Sequence, residues 1–140
     1  MVCVLAVYAY EASPTEYKVS KPYIRMGLGG ETLKLEIADT EILRGQGLSG
    51  HKPLGTNEGM LFIFPNDDRH QFWMKDMLFP IDIAWIDNEY RIVDVRERVD
   101  PSSYPEIFTP ESNARYVLEL PAGFFENHSL KIGNTLEILK

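Results

Sequence analysis

Cysteine is almost absent from this chain. Its 140 residues contain one, Cys3, so no intramolecular disulfide can form and no thiolate cluster can hold zinc. The fold must be held by its core, and an apolar content of 44% is enough for one domain. Positive charge is also scarce. Fourteen basic side chains face 21 acidic ones, for a formal net charge of −7. No basic face is on offer to displace counterions, which argues against nucleic acid as a partner and against docking on anionic lipid. No apolar run is long enough to span a bilayer as a helix.

An apolar run does open the chain. "VCVLAVYAYEAS" ends in small and polar residues, as the core and cleavage region of an export signal do, although no basic residue precedes it. It reads as the end of an export signal begun upstream of Met1. An edge strand and a short interfacial membrane anchor are the alternatives. "SPTEYKVSKP" follows as a polar, proline-marked linker. Residues 1–22 are therefore expected to be an export-type segment and linker, and residues 23–140 a single β-rich domain. The expected location is periplasmic or extracellular, with membrane association through the N-terminal segment as its variant.

Within the domain the hydrophobic period is mostly two. "TLKLEIA" alternates Leu33, Leu35 and Ile37 with Lys34 and Glu36, and "YIRMGL" pairs with it across "GG" as a hairpin. "DTEILRGQGLSG" is a short helix, capped by Asp39 or Thr40 and ended by Gly45 and Gly47. "GMLFIF" is a buried strand closed by Pro65. "HQFWMK", "IDIAWID", "YRIVDVRER", "RYVLELP" and "TLEIL" are strands, and "AGFFENHS" is a helical turn. The expectation is a mostly β fold, a β-sandwich or partly closed barrel of about eight short strands with two short helices.

The greasiest stretch, "FWMKDMLFPIDIAWID", holds three charges, Lys75, Asp76 and Asp82. In its second half Ile81, Ile83 and Trp85 share one face, and Asp82, Ala84 and Ile86 the other. Phe72 and Met74 likewise oppose Trp73 and Lys75. Pro80 breaks the two halves apart, so Lys75 and Asp82 are expected within ion-pair reach, bordered by Trp73.

"EIADTEILRGQGLSG", "NEGMLFIFP", "FWMKDMLFPIDIAWID", "ARYVLELPAG" and "IG" occur here in an order that resembles the uncharacterised family called domain of unknown function 192. The resemblance runs from about Thr32 to Ile138, and "FWMK…PIDI" is its most specific block. Family members usually carry asparagine and threonine where this chain has Asp76 and Met77. The resemblance implies a β-sandwich-like structure and favours an export signal. It brings no activity.

His51, His70 and His128 are scattered, and Met60, Met74 and Met77 with His70 would be the only soft copper(I) set, so no metal is expected. No serine stands in a nucleophile elbow, and no cofactor is implied. The carboxylates worth weighing are Glu58, Asp76, Asp82 and Glu119, since glycoside hydrolysis needs two of them across a cleft. Arg44 offers either a salt bridge to Glu41, a hydrogen-bonded tie to a loop, or bidentate capture of an anion. The candidate ligand site is Arg44, Glu58, Trp73, Lys75, Asp76 and Asp82, with no catalytic residue assigned. The expected function is an exported accessory domain that binds a small molecule or an envelope partner. The alternative is an enzyme, such as a hydrolase, using clustered carboxylates with Lys75 and Arg44.

Overall fold

A computed structural model describes residues 21–140. The apolar N-terminal run, Cys3 and most of the linker lie outside the described residues. Seven strands, β1 (Tyr23–Leu28), β2 (Glu31–Ala38), β3 (Glu58–Asp68), β4 (Ile81–Ile86), β5 (Ile92–Val99), β6 (Ala114–Pro121) and β7 (Glu137–Ile138), form one curled sheet in the order β5-β4-β6-β3-β2-β1-β7. Two short helices join them, α1 (Glu41–Gln46) and α2 (Phe124–Asn127). The protein is mostly β, and its sheet curls into a half-barrel. The C-terminal segment links the two edges: Thr135 bridges Arg91 beside β5, and Ile138 pairs with Met26 of β1.

Local chemistry explains the connections. β1 and β2 pair from Tyr23↔Glu36 to Leu28↔Glu31, with Gly29 and Gly30 at φ 60° and 81° in the turn. Both positions need left-handed backbone, the mark of a tight hairpin turn. β2 and β3 run parallel, which demands a crossover, and residues 39–57 provide it with α1. Thr40 caps α1 by accepting from the Leu43 N–H at 3.2 Å, and the helix runs through Gly45 to stop at Gly47. β3 lies at the centre of the sheet. A Cβ at Gly59 would stand 2.4 Å from the Glu119 carbonyl oxygen, so only glycine admits the observed approach of β3 to β6.

The sheet is covered on both faces. Leu33, Leu35, Leu61, Ala84, Ile86, Leu118 and Leu120 pack on one side with Phe124 and Phe125 of α2. Met60, Phe62, Ile81, Ile83, Trp85 and Val117 pack on the other with Leu48, Met74 and Phe79. The alternation along β4 is as the sequence predicts, yet every residue of β4 is buried.

"HQFWMK" is not a strand, which leaves seven strands. Its one pairing is an isolated bridge, with Phe72 and Phe108 exchanging N–H···O bonds of 3.0 and 2.8 Å. β3, β4 and β6 already have neighbours on both sides, so no ladder is free to receive it. Aromatic packing holds it instead. Phe72 meets Phe62 edge-on at 4.9 Å and Trp85 at 6.1 Å, while the Trp85 indole N–H donates to the His70 carbonyl at 2.7 Å.

Phe62 is 2% exposed at this junction. Phe62→Ala should cost about 3–5 kcal/mol, the usual range for emptying a packed aromatic site. Urea unfolding measures it, and an unchanged midpoint would place Phe62 outside the core.

Candidate functional site

The crossover and the irregular stretch 71–77 enclose a cavity of about 420 Å³ above the sheet. α1 and the residues after it, Arg44 to Ser49, form one wall; Phe72, Trp73 and Met77 form the other; Phe62, Phe64 and Glu119 line it from the sheet. Two hydrogen bonds tie the walls together: the Gly50 N–H donates to the Asp76 carbonyl at 2.9 Å, and the Ser49 hydroxyl to the Lys75 carbonyl at 2.8 Å. Trp73 is 48% exposed and meets Tyr104 edge-on, so an aromatic pair borders the cavity.

Three acidic side chains are buried among the described residues, Asp82, Asp94 and Glu119. Asp82 accepts from the backbone N–H groups of Arg98, Gly123 and Phe125 at 2.8, 3.1 and 3.0 Å. Asp94 accepts from Val95 N–H, Glu111 N–H and the Arg96 guanidinium at 2.8, 2.8 and 2.6 Å. Burial alone would raise the Asp94 pKa, but these donors together hold it below the usual value. Glu119 has no such company. Its Oε2 is buried without a hydrogen-bond partner among the described residues, and burial pushes its pKa up to about 8. Burial thus favours its neutral, protonated form, at the edge of the cavity.

The six residues expected to share a site do not all meet. Arg44 and Trp73 line the cavity. Arg44 makes neither a salt bridge nor an anion fork. Its Nη1 donates to the carbonyls of Asp39 and Ile63 at 2.7 and 2.8 Å, and its guanidinium lies 5.3 Å from the Phe64 ring centre. It pins α1 to β3. Lys75 stands beside Trp73, its ammonium 5.6 Å from that ring. Asp76 is exposed at φ 55°, a conformation that asparagine and aspartate adopt more readily than most residues. Glu58 lies elsewhere, lining a small groove with Lys34 and Glu36 and accepting from Gly55 N–H.

Asp82 corrects the expectation most sharply. It is fully buried on the face that carries α2, opposite the cavity, and its oxygens take backbone donors rather than Lys75. The expected Lys75–Asp82 ion pair does not form among the described residues. The methionines of the soft-metal set serve as packing. Met60 and Met74 are core residues, and His70 stacks on Phe64. No group of three or more His, Cys, Asp or Glu side chains suited to a metal is found among the described residues.

Comparison with known proteins now adds a lineage. The family model DUF192, described as an uncharacterized ACR, matches residues 24–138. The chain belongs to this family. A UPF0127 protein of Thermococcus gammatolerans is 32% identical over 107 residues, which cover 73% of this chain and 64% of that protein. The match thus spans under two thirds of that relative's length. Two crystal structures share the fold. A Novosphingobium aromaticivorans protein of unknown function has a TM-score of 0.78 at 26% identity, covering 91% of this chain and 94% of its own. A Sinorhizobium meliloti protein described provisionally as a transcription regulator has a TM-score of 0.74 at 30% identity, covering 82% and 91%.

The sequence holds a signal for Glu119. In "YVLELP" residues of both parities are apolar, so both faces of that strand are covered and its one glutamate must be buried. Its lack of partners depends on distant segments and is not written locally.

The Glu119 shift fixes a pH dependence. Between about 4.5 and about 8 the folded state holds a proton that the unfolded state has lost. Stability due to this group is full below that window and is lost as pH rises through it, at up to roughly 1.4 kcal/mol per pH unit. Glu119→Gln should remove this slope. Urea titrations of both proteins across the window measure the difference, and parallel curves would contradict the shift.

Proposed function

We propose that this DUF192 domain binds a small molecule in the cavity between α1 and the 71–77 stretch. The observation that carries this reading is Glu119. A buried carboxyl oxygen without a donor costs on the order of 1–3 kcal/mol, and a ligand entering the cavity can supply the missing partner. A lining that combines Phe62, Phe64, Phe72 and Trp73 with polar side chains such as Gln46, Ser49 and Gln71 suits such a role.

An enzymatic reading has one observation behind it, since a carboxyl titrating near neutrality can move protons. The paired carboxylates that hydrolysis would use are not in place. Glu58 occupies another groove and Asp82 the other face of the sheet. Binding is therefore the better supported function.

The net charge of −7 argues against carrying the transcription-regulator description over from the Sinorhizobium meliloti protein, because phosphate contacts require a basic surface. We further propose that the domain is an exported accessory protein of the cell envelope, binding a small molecule or an envelope partner. The support is the apolar, signal-like run from Val2 to Ala12. Fractionating cells that express the full reading frame tests this, and finding only unprocessed cytoplasmic protein would refute it.

A library of neutral, anionic and cationic fragments tests the cavity itself. Binders should shift the backbone amide resonances of Gln46 to Ser49, Phe72 and Trp73 while leaving Phe125, on the other face, unmoved. If no fragment perturbs that set, the cavity is not a binding site.

A further inference from the structure

The chemistry of the cavity narrows its occupant. Glu41 and Arg44, both on α1, are the charged groups that line it besides Glu119. The flanking strands add none: the neighbours of Glu119 across β3 and β4 are Met60 and Ile83. On the other wall Lys75 lies over Trp73 rather than within the lining. Nη1 of Arg44 is turned to two backbone carbonyls and its guanidinium lies over the Phe64 ring, while Glu41 adds a carboxylate to the same wall. Once Glu119 ionises, the lining holds two carboxylates, Glu41 and Glu119, against the one guanidinium of Arg44, with Gln46, Ser49 and Gln71 as its neutral polar side chains.

An anion would meet that charge with repulsion. A neutral molecule would leave it unpaired. A cation satisfies the charge through the strongest kind of hydrogen bond on offer to a carboxylate, here one whose Oε2 has no partner among the described residues. The aromatic faces already receive cations in this protein, at Lys75 over Trp73 and Arg44 over Phe64.

We propose that the cavity takes a small organic cation, an amine whose ammonium group donates to Glu119 while its apolar body lies along Phe62, Phe72 and Trp73. This rests on the ligand-binding reading above. Binding pairs the ammonium with ionised Glu119, so the proton that the free protein carries there is released to solvent.

Three probes of matched size test it by calorimetry on the full chain: phenethylamine, 2-phenylethanol and 3-phenylpropionate. Phenethylamine should bind most tightly of the three. Its apparent affinity should rise about tenfold per pH unit up to about pH 8 and then level off, because only ionised Glu119 is competent. Glu119→Gln should abolish the pH dependence and weaken phenethylamine by about tenfold or more. Trp73→Ala, at an exposed wall position, should weaken it without unfolding the protein. Tighter binding of the alcohol or the acid, affinity that falls as pH rises, undiminished binding by Glu119→Gln, or no binding by any probe would each overturn the amine. Ligand binding as such would still stand or fall on the wider fragment set.

Discussion

The central strands of this sheet are covered on both faces, and the rest of the structure answers to that constraint. β4 is buried at all six positions, and β3 and β6 lie between paired neighbours. Apolar side chains must therefore occupy both parities of these strands, and any polar group among them needs partners brought from elsewhere. Asp82 obtains them from the start of α2. That helix has no side-chain cap of its own, and the Gly123 and Phe125 N–H groups end on the Asp82 carboxylate instead. The same carboxylate receives Arg98 N–H from β5, so one side chain fastens a helix and a strand to β4. The charge inside "IDIAWID" is thus a buried fastener.

Much of this was legible because local pattern controls it. The β1–β2 hairpin follows from alternation and a double glycine, the central position of β3 from an unbroken apolar run, and α1 from its cap and its closing glycine. The parity of β4 was also legible. The path of the "FWMK" segment was not. Its alternation is real, with Phe72 and Met74 packed inward and Trp73 and Lys75 outward, but strand pairing also needs a free neighbour. With none available, the segment lies across one face while Asp82 points to the other. The Lys75–Asp82 pair failed for that reason, although both residues sit near Pro80.

The candidate site was legible in half-measure for a related reason. Arg44 and Trp73 do line the cavity, because the blocks that carry them form its two walls. Glu119 stood among four carboxylates with nothing local to separate it from Asp82. The two differ in what arrives from distant segments: three backbone N–H groups for Asp82, and no donor among the described residues for the buried Oε2 of Glu119.

That difference bears on how the cavity can work. Its floor belongs to β3 and β6, which are locked by their ladder and by the close approach at Gly59. Its walls belong to segments outside the ladder, joined by the Gly50–Asp76 and Ser49–Lys75 hydrogen bonds. The walls are fastened to their surroundings by side chains and single bridges instead: Arg44 to the Ile63 carbonyl, Trp85 to the His70 carbonyl, Phe72 with Phe108, and the buried Leu48 and Met74. The carboxyl that needs a partner is thus placed by the ladder, and the walls around it are placed by side-chain contacts. A leucine at Glu119 would remove the ionisation penalty and strengthen the core. It would also leave an apolar cavity with nothing in its floor to tell one occupant from another.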